Sequence, residues 1–368
     1  MIIKNGNVYC SDGAFSVKDI YISDGVITND REKAMMDSIV IDASDRYVLP
    51  GLVDIHSHGA YGHDFCDASP EGLKAILKYE KQHGITSYCP TSMTLSFEML
   101  EKIFDTTNQV SGSKDEARIV GINMEGPFIA AHKKGAQNGK YIRTPDIDAF
   151  RYLNDLCGNR IKLVTLAPEL SGSLDFIKEL KDEVHISIGH TEATYDETIA
   201  AFQTGADHVT HLCNAMPPFH HRDTGVFGAA ADAANVYVEL ICDGLHIHPS
   251  MIRTIFRIFG ADRVCLISDS MEATGMYDGQ YALGGQTVIK KGNLATLTDG
   301  TLAGSATNLY DCMKKAVSFG IPLADAVKSV TTTPARSIGM ENEIGSLDIG
   351  ARADVLIVSK DLELISVI

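Results

Sequence analysis

Eight short apolar runs, set between amphipathic stretches, constrain this chain more than any other feature. They are LVDIHSH, ITSYCPT, IVGINMEGP, IKLVTLAPE, VHISIGHTE, DHVTHLCNA, VYVELICDG and RVCLISDS. Between most of them lie helical patterns such as EGLKAILKYEKQHG, TYDETIAAFQTG and PSMIRTIFRIFG. Each of these three ends on a glycine, with a strand run close behind. A glycine there takes the left-handed conformation that ends a helix and turns the chain back into a strand. Eight strand–helix units in roughly 280 residues predict a TIM (β/α)8 barrel. The competing doubly wound sheet lacks its fingerprint, since no run is followed by G-x-G-x-x-G.

The two ends of the chain read differently. IIKNGNVYC, VKDIYISDGVI and SIVIDASDRYVL are β-rich runs broken by Asn-Gly and Asp-Gly turn signals. IGSLDIGARADVLIVSKDLELISVI at the other end has the same character. Residues 1–50 and 345–368 are therefore expected to pair into one small antiparallel, β-sandwich-like domain, with the barrel over 51–344. Residues 284–305 read as a β-hairpin inserted late in the barrel.

Composition excludes several roles. A formal charge of −16 argues against nucleic acid or an anionic membrane as partner. No apolar run approaches the roughly 20 residues needed to span a bilayer. Met1 leads straight into IIKNGNVYC without the basic start of a signal peptide, and the eight cysteines form no C-x-x-C pair. Reduced, buried thiols in a cytoplasmic protein are the expectation.

In such a barrel the chemistry sits where strands end. His56 and His58 end the first run, Glu125 the third, His190 the fifth, His211 the sixth and Asp269 the eighth. Alternate residues of a strand share a face, so His56 and His58 point into one space. An imidazole or carboxylate there costs several kcal/mol to desolvate unless it is paired or binds a metal. Glu125, His190 and His211 form a three-ligand set with an open position, the arrangement of a catalytic metal site. His56 and His58 can hold a second ion, with Glu125 as a bridge and Asp269 as ligand or proton shuttle. Imidazoles with carboxylates and no thiolate suit zinc above all, or iron, manganese or cobalt. The implied chemistry is hydrolysis of an amide or related bond. His208 precedes His211 by three and is expected on the opposite face, while His246, after the seventh run, is a candidate for substrate contact.

Taken in order, PGLVDIHSHG, MEGPFIAAHKKGAQN, SIGHTEA, THLCNAMPPFHHR, CDGLHIHP, ISDSMEATG and TLAGSATNL resemble the N-acetylglucosamine-6-phosphate deacetylases of the amidohydrolase superfamily. The resemblance covers nearly the whole chain. It implies release of acetate from N-acetylglucosamine 6-phosphate, with Glu125, His190 and His211 on the principal metal and Asp269 as catalytic acid/base. His56 and His58 match a second-metal pair, so one or two ions per subunit are implied. Ala136 and Gln137, Asn214 and Ala215, and Asp243, Gly244, Leu245 and His246 match the substrate pocket. Leu302, Ala303, Gly304 and Ser305 match a loop closing over it. Arg222 matches a phosphate-binding arginine that reaches in from a neighbouring subunit, which implies a homodimer.

Two positions depart from the family pattern. Gln137 stands where the family usually has a histidine that donates to the acetyl carbonyl, and Asp-Thr-Gly follows Arg222 where an acidic residue and Pro-Gly are usual. N-acetylgalactosamine 6-phosphate or another N-acyl amino sugar therefore stays open as substrate. A cyclic-amide hydrolase is a second reading, although its bridging lysine has no counterpart at the end of IKLVTLAPE. A non-enzymatic scaffold of the same fold is a third, opposed by the complete ligand set.

Overall fold

The computed structural model describes residues 1–110 and 112–368. All eight apolar runs are strands, and they lie side by side in chain order. They are Leu52–Ser57, Ile85–Ser92, Ile122–Glu125, Ile161–Leu166, His185–Ile188, His208–Val209, Tyr237–Ile241 and Val264–Ile267. Each neighbouring pair along this path is parallel, and helices such as Pro70–Gln82, Tyr195–Thr204 and Pro249–Phe259 connect successive strands on the outside. The fold is a (β/α)8 barrel carrying a small β unit.

The seam between the eighth strand and the first is not a regular ladder. The Asp269 backbone N–H donates to His56 O at 2.9 Å, and the His58 N–H donates to Ser270 O at 2.8 Å. Just below, the Asp54 carboxylate accepts from the backbone N–H groups of His56 and Ser268. Asp54 thus stands in for ladder bonds while the two chain segments diverge. Burial pushes its pKa up to about 6, although those donors oppose the rise. The barrel interior is filled by Val53, Ile55, Cys89, Leu163, Ile241, Cys265 and Ile267, closed off by Ala335 and Ile338. These apolar layers form a floor beneath the titratable residues at the strand ends.

The small unit is a seven-stranded sheet in which Tyr47–Pro50 joins Ile2–Tyr9 on one side to Val355–Val358 on the other. Both chain ends contribute, as the sequence predicts, but the sheet is mixed. Ile2–Tyr9 runs parallel to Val40–Asp42 and to Tyr47–Pro50, and antiparallel to Phe15–Ser23. Its apolar face (Ile3, Val8, Ile20, Val48, Val355 and Ile357) is a cluster separate from the barrel core. The late insert holds a hairpin within 284–305 and adds a third strand before it. Its first strand, Gly279–Leu283, starts upstream of residue 284, and Gly284-Gly285 is the turn into Gln286–Lys291 and then Leu294–Leu297. Both glycines have positive φ, 55° and 79°, which a tight reversal demands. No helix among the described residues is long and apolar enough to cross a membrane.

Candidate metal centre

Glu125 ends the third strand buried in the barrel mouth, with imidazoles of two pairs around its carboxylate. Oε1 lies 3.0 Å from His190 Nε2 and 3.0 Å from His211 Nε2, and those two nitrogens are 3.1 Å apart. On the other side His58 Nε2 is 3.4 Å from Oε2, and His56 Nε2 is 3.5 Å from Oε1. Asp269 Oδ1 closes the ring at 3.3 Å from His58 Nε2 and 3.6 Å from His56 Nε2. All six side chains that the sequence places at strand ends converge here.

The chain path makes this possible. A register shift between Asp54 and Ser57 lets His56 turn inward even though Val53 and Ile55 already face the barrel interior. His190, His211 and Asp269 all adopt positive φ, 46°, 28° and 47°. Such backbone is costly for residues with a Cβ and persists only where surrounding contacts hold it, as at ligand clamps.

The outer ring nitrogens decide what the inner ones offer. His190 Nδ1 donates to Lys133 O at 2.8 Å, and His58 Nδ1 to Thr91 O at 3.1 Å. A carbonyl can only accept, so both rings carry a proton on Nδ1, and in the neutral ring the Nε2 lone pair faces the centre. His56 Nδ1 sits 2.9 Å from Glu239 Oε2, and that same oxygen accepts from the His211 backbone N–H at 3.1 Å. Burial opposes a charge on His56, but Glu239, Glu125 and Asp269 outweigh it and lift its pKa to about 10. Burial likewise tends to protonate Asp269, and its hydrogen bond with His58 and the surrounding imidazoles hold its carboxyl below the usual range.

These donors fit a divalent metal ion. The buried His56 Nε2 has no hydrogen-bond partner among the described residues. Ligand atoms of His56, His58 and Glu125, and of Glu125, His190 and His211, form two triads each within 4.8 Å. Ligands around one tetrahedral zinc stand roughly 3.3–3.5 Å apart, given bond lengths of about 2.0–2.2 Å. The observed separations bracket that value.

Above the triads is a cavity of about 260 Å³, walled by His58, Glu125, Ala136, Gln137, His190, His211, Asn214, Ala215, His246, Asp269, Leu302 and Gly304. Gly304 has φ 58°, and a Cβ there would come within 3.1 Å of Asp269 O. Other expected residues act around this cavity without lining it. Asp243 accepts from the His246 backbone N–H at 2.9 Å and pairs with His246 Nδ1 at 2.7 Å, fixing that imidazole. Gly244 supplies the turn between them with φ 78°, and the Leu245 side chain is exposed. Ala303 is buried, and the Ser305 hydroxyl donates to Ser268 O at 2.5 Å, anchoring the segment to the eighth strand. Arg222 is exposed and lies away from its own chain's cavity, beside Thr194–Asp196, with Nη1 at 2.7 Å from His221 Nε2.

Gln137 lines the cavity and also holds Glu125. Its Oε1 accepts from the Thr94 N–H at 2.6 Å, which fixes the amide so that Nε2 donates to Glu125 Oε2. The amide therefore braces a carboxylate with one N–H, and its second N–H is left on the cavity wall. His208 departs from expectation, because the sixth strand stops at Val209 and strand alternation does not extend to His211. His208 lies buried inside the barrel, 3.1 Å from Ser187 Oγ and 3.8 Å from Glu239 Oε1. Sequence reasoning missed Glu239, whose one signal was an acid inside the apolar run VYVELI. It also missed Met93, Gly135, Ile241, Leu283 and Thr301, which complete the cavity wall.

Comparison with known proteins places this arrangement. The Amidohydrolase family matches residues 47–368. N-acetylglucosamine-6-phosphate deacetylase of Bacillus subtilis (strain 168) is 36% identical over 370 aligned residues, covering 99% of this chain and 91% of that protein. N-acetylgalactosamine-6-phosphate deacetylase of Escherichia coli O157:H7 is 30% identical, covering 98% of this chain and 96% of that protein. Among solved structures, a mutant N-acetyl-D-glucosamine-6-phosphate deacetylase from Mycobacterium smegmatis in complex with N-acetyl-D-glucosamine-6-phosphate superposes with a TM-score of 0.91. It is 30% identical, covering 100% of this chain and 97% of that one.

Proposed function

The chain belongs to the amidohydrolase family, and we propose that it hydrolyses N-acetylglucosamine 6-phosphate to glucosamine 6-phosphate and acetate. The observation that carries this reading is Glu125 shared between two histidine pairs at the floor of a sugar-sized cavity, with Asp269 beside them. Glu125, His190 and His211 hold the principal ion, and His56 and His58 with Glu125 hold a second, zinc being the best match to these donors. A divalent ion bound there lowers the pKa of water and polarises the amide carbonyl.

The chain's own groups then divide the work. Asp269 is held ionised, so it accepts the proton that water loses as its oxygen bonds to the acetyl carbon. It returns that proton to the amide nitrogen as the C–N bond breaks, leaving acetate and the amine. His246, oriented by Asp243, and Asn214 with the backbone at Ala215 bind the phosphorylated sugar. Leu302–Ser305 and Leu283 cover it against water. Arg222 serves a partner's cavity in a homodimer, which its exposed place outside its own cavity favours. Its fork matches a phosphate in two parallel hydrogen bonds.

N-acetylgalactosamine 6-phosphate is the second reading, favoured by the likeness to the Escherichia coli O157:H7 deacetylase. Both are tested by acetate release from the gluco and galacto substrates, with and without the 6-phosphate. Turnover is expected to be fastest on N-acetylglucosamine 6-phosphate. Turnover of a cyclic amide with no acetate from any of the four sugars would overturn the proposal.

A further inference from the structure

A second cavity, of about 760 Å³, shares no wall residue with the catalytic one. It lies outside the barrel, between the helix Pro70–Gln82, the insert strand Gln286–Lys291 and the start of the helix Leu309–Ser318. Three lysines, Lys290, Lys314 and Lys315, line it together with His83, against one carboxylate, Asp311. In a chain of net charge −16 such a concentration of cations in a hollow is unexpected.

Lys290 is the informative residue. It is 7% exposed, and its one ion pair among the described residues is a 3.8 Å approach to Asp278, too long for a hydrogen bond. Its ammonium makes no hydrogen bond among the described residues, so all three donors are available to an anion in the cavity it lines. Lys315 is exposed and makes no ion pair among the described residues, while Lys314 pairs with the exposed Glu363 at 3.1 Å. Asp311 is already engaged, because its carboxylate accepts from Asn308 Nδ2 at 3.1 Å. Thr307, Asn308 and Tyr79 add neutral hydrogen-bonding groups to the wall.

We propose that this cavity is a second binding site, for a phosphate monoester whose dianion sits among Lys290, Lys315 and Lys314 and whose sugar hydroxyls meet Thr307 and Asn308. The choice of an amino-sugar phosphate as ligand rests on the proposed function, and the cationic site itself does not. The site adjoins the reaction centre in sequence, since residues 306–308 continue directly from the Leu302–Ser305 segment over the catalytic cavity.

The test is calorimetric titration of the metal-loaded protein with glucosamine 6-phosphate. Wild type is expected to bind two molecules per chain. Lys290→Met with Lys315→Gln is expected to lose one of them while kcat for acetate release stays unchanged, and His246→Ala to weaken the other about tenfold. If Lys290→Met does not fold, Lys315→Gln alone is expected to weaken the second site severalfold. One site per chain in wild type, or lysine variants that titrate like wild type, would overturn the proposal, as would equal binding of unphosphorylated glucosamine. A site lost in the lysine variant but untouched by His246→Ala would sustain it while contradicting the catalytic assignment of His246. Inorganic phosphate displacing the sugar phosphate from this site would show that the phosphate group suffices; displacement only by the intact ester would show that the sugar contributes.

Discussion

The two sides of Glu125 are built differently. On one side His190, His211 and the carboxylate oxygen lie within 3.0–3.1 Å of each other and line the cavity directly. On the other His56 and His58 stand 3.4–3.5 Å from the same carboxylate, and His56 is sealed beneath the cavity against Glu239. In the proposed function the tight, open triad is where substrate would meet the principal ion. The looser pair, of which only His56 lies beneath the cavity, stands beside Glu125 and Asp269 with room for a second ion. The difference teaches that loss of one pair and loss of the other are separate lesions.

That contrast gives the largest expected effect. His190→Ala is expected to remove the principal ion and take acetate release to background, whereas His58→Ala keeps one ion per chain and measurable turnover. Metal analysis alongside kinetics checks this, and equal loss in both variants would erase the distinction between the sides. Next comes Asp269→Asn, for which both metal contents should persist while kcat falls about 100- to 10,000-fold, the usual worth of a general acid–base. Substantial turnover in that variant would reassign the proton transfer. Glu239→Gln acts on the deep side through His56 and reaches the open side only through the His211 backbone. Its expected cost is about 10- to 100-fold in metal affinity, and unchanged chelator titration would make Glu239 a mere filler of the barrel.

The smallest effect is one of pH. Burial opposes a charge on His246, but its hydrogen bond and charge pairing with Asp243 outweigh it and raise its pKa above the ordinary histidine value. Its positive form is therefore present at low pH and is lost as pH rises through that elevated pKa. KM for the phosphorylated sugar is expected to climb severalfold over that window, and less for an unphosphorylated analogue. Parallel profiles for the two would remove His246 from phosphate binding.

Much of the open side could be read from the sequence, and less of the deep side. Apolar runs ending in His56, His58, Glu125, His190, His211 and Asp269 reveal both strands and ligands, because a titratable group after a buried run needs a partner. Glu239 hides within its own run, since its meaning depends on His56, 183 residues away. The contacts of Lys133 O and Thr91 O are backbone contacts and leave no residue-type signal. Gln137 could be identified as part of the site, but its bond to Glu125 depends on the Thr94 N–H that orients it. The mixed pairing of the terminal sheet was equally hidden, as the parallel match of Ile2–Lys4 with Val40–Asp42 is a long-range choice.

The most direct test of the account is acetate release from N-acetylglucosamine 6-phosphate by one preparation before and after stripping its metal. At least one transition-metal ion per chain is expected at the start, with activity lost along with the ion and recovered when zinc is restored. Undiminished acetate release from metal-free protein would contradict the account.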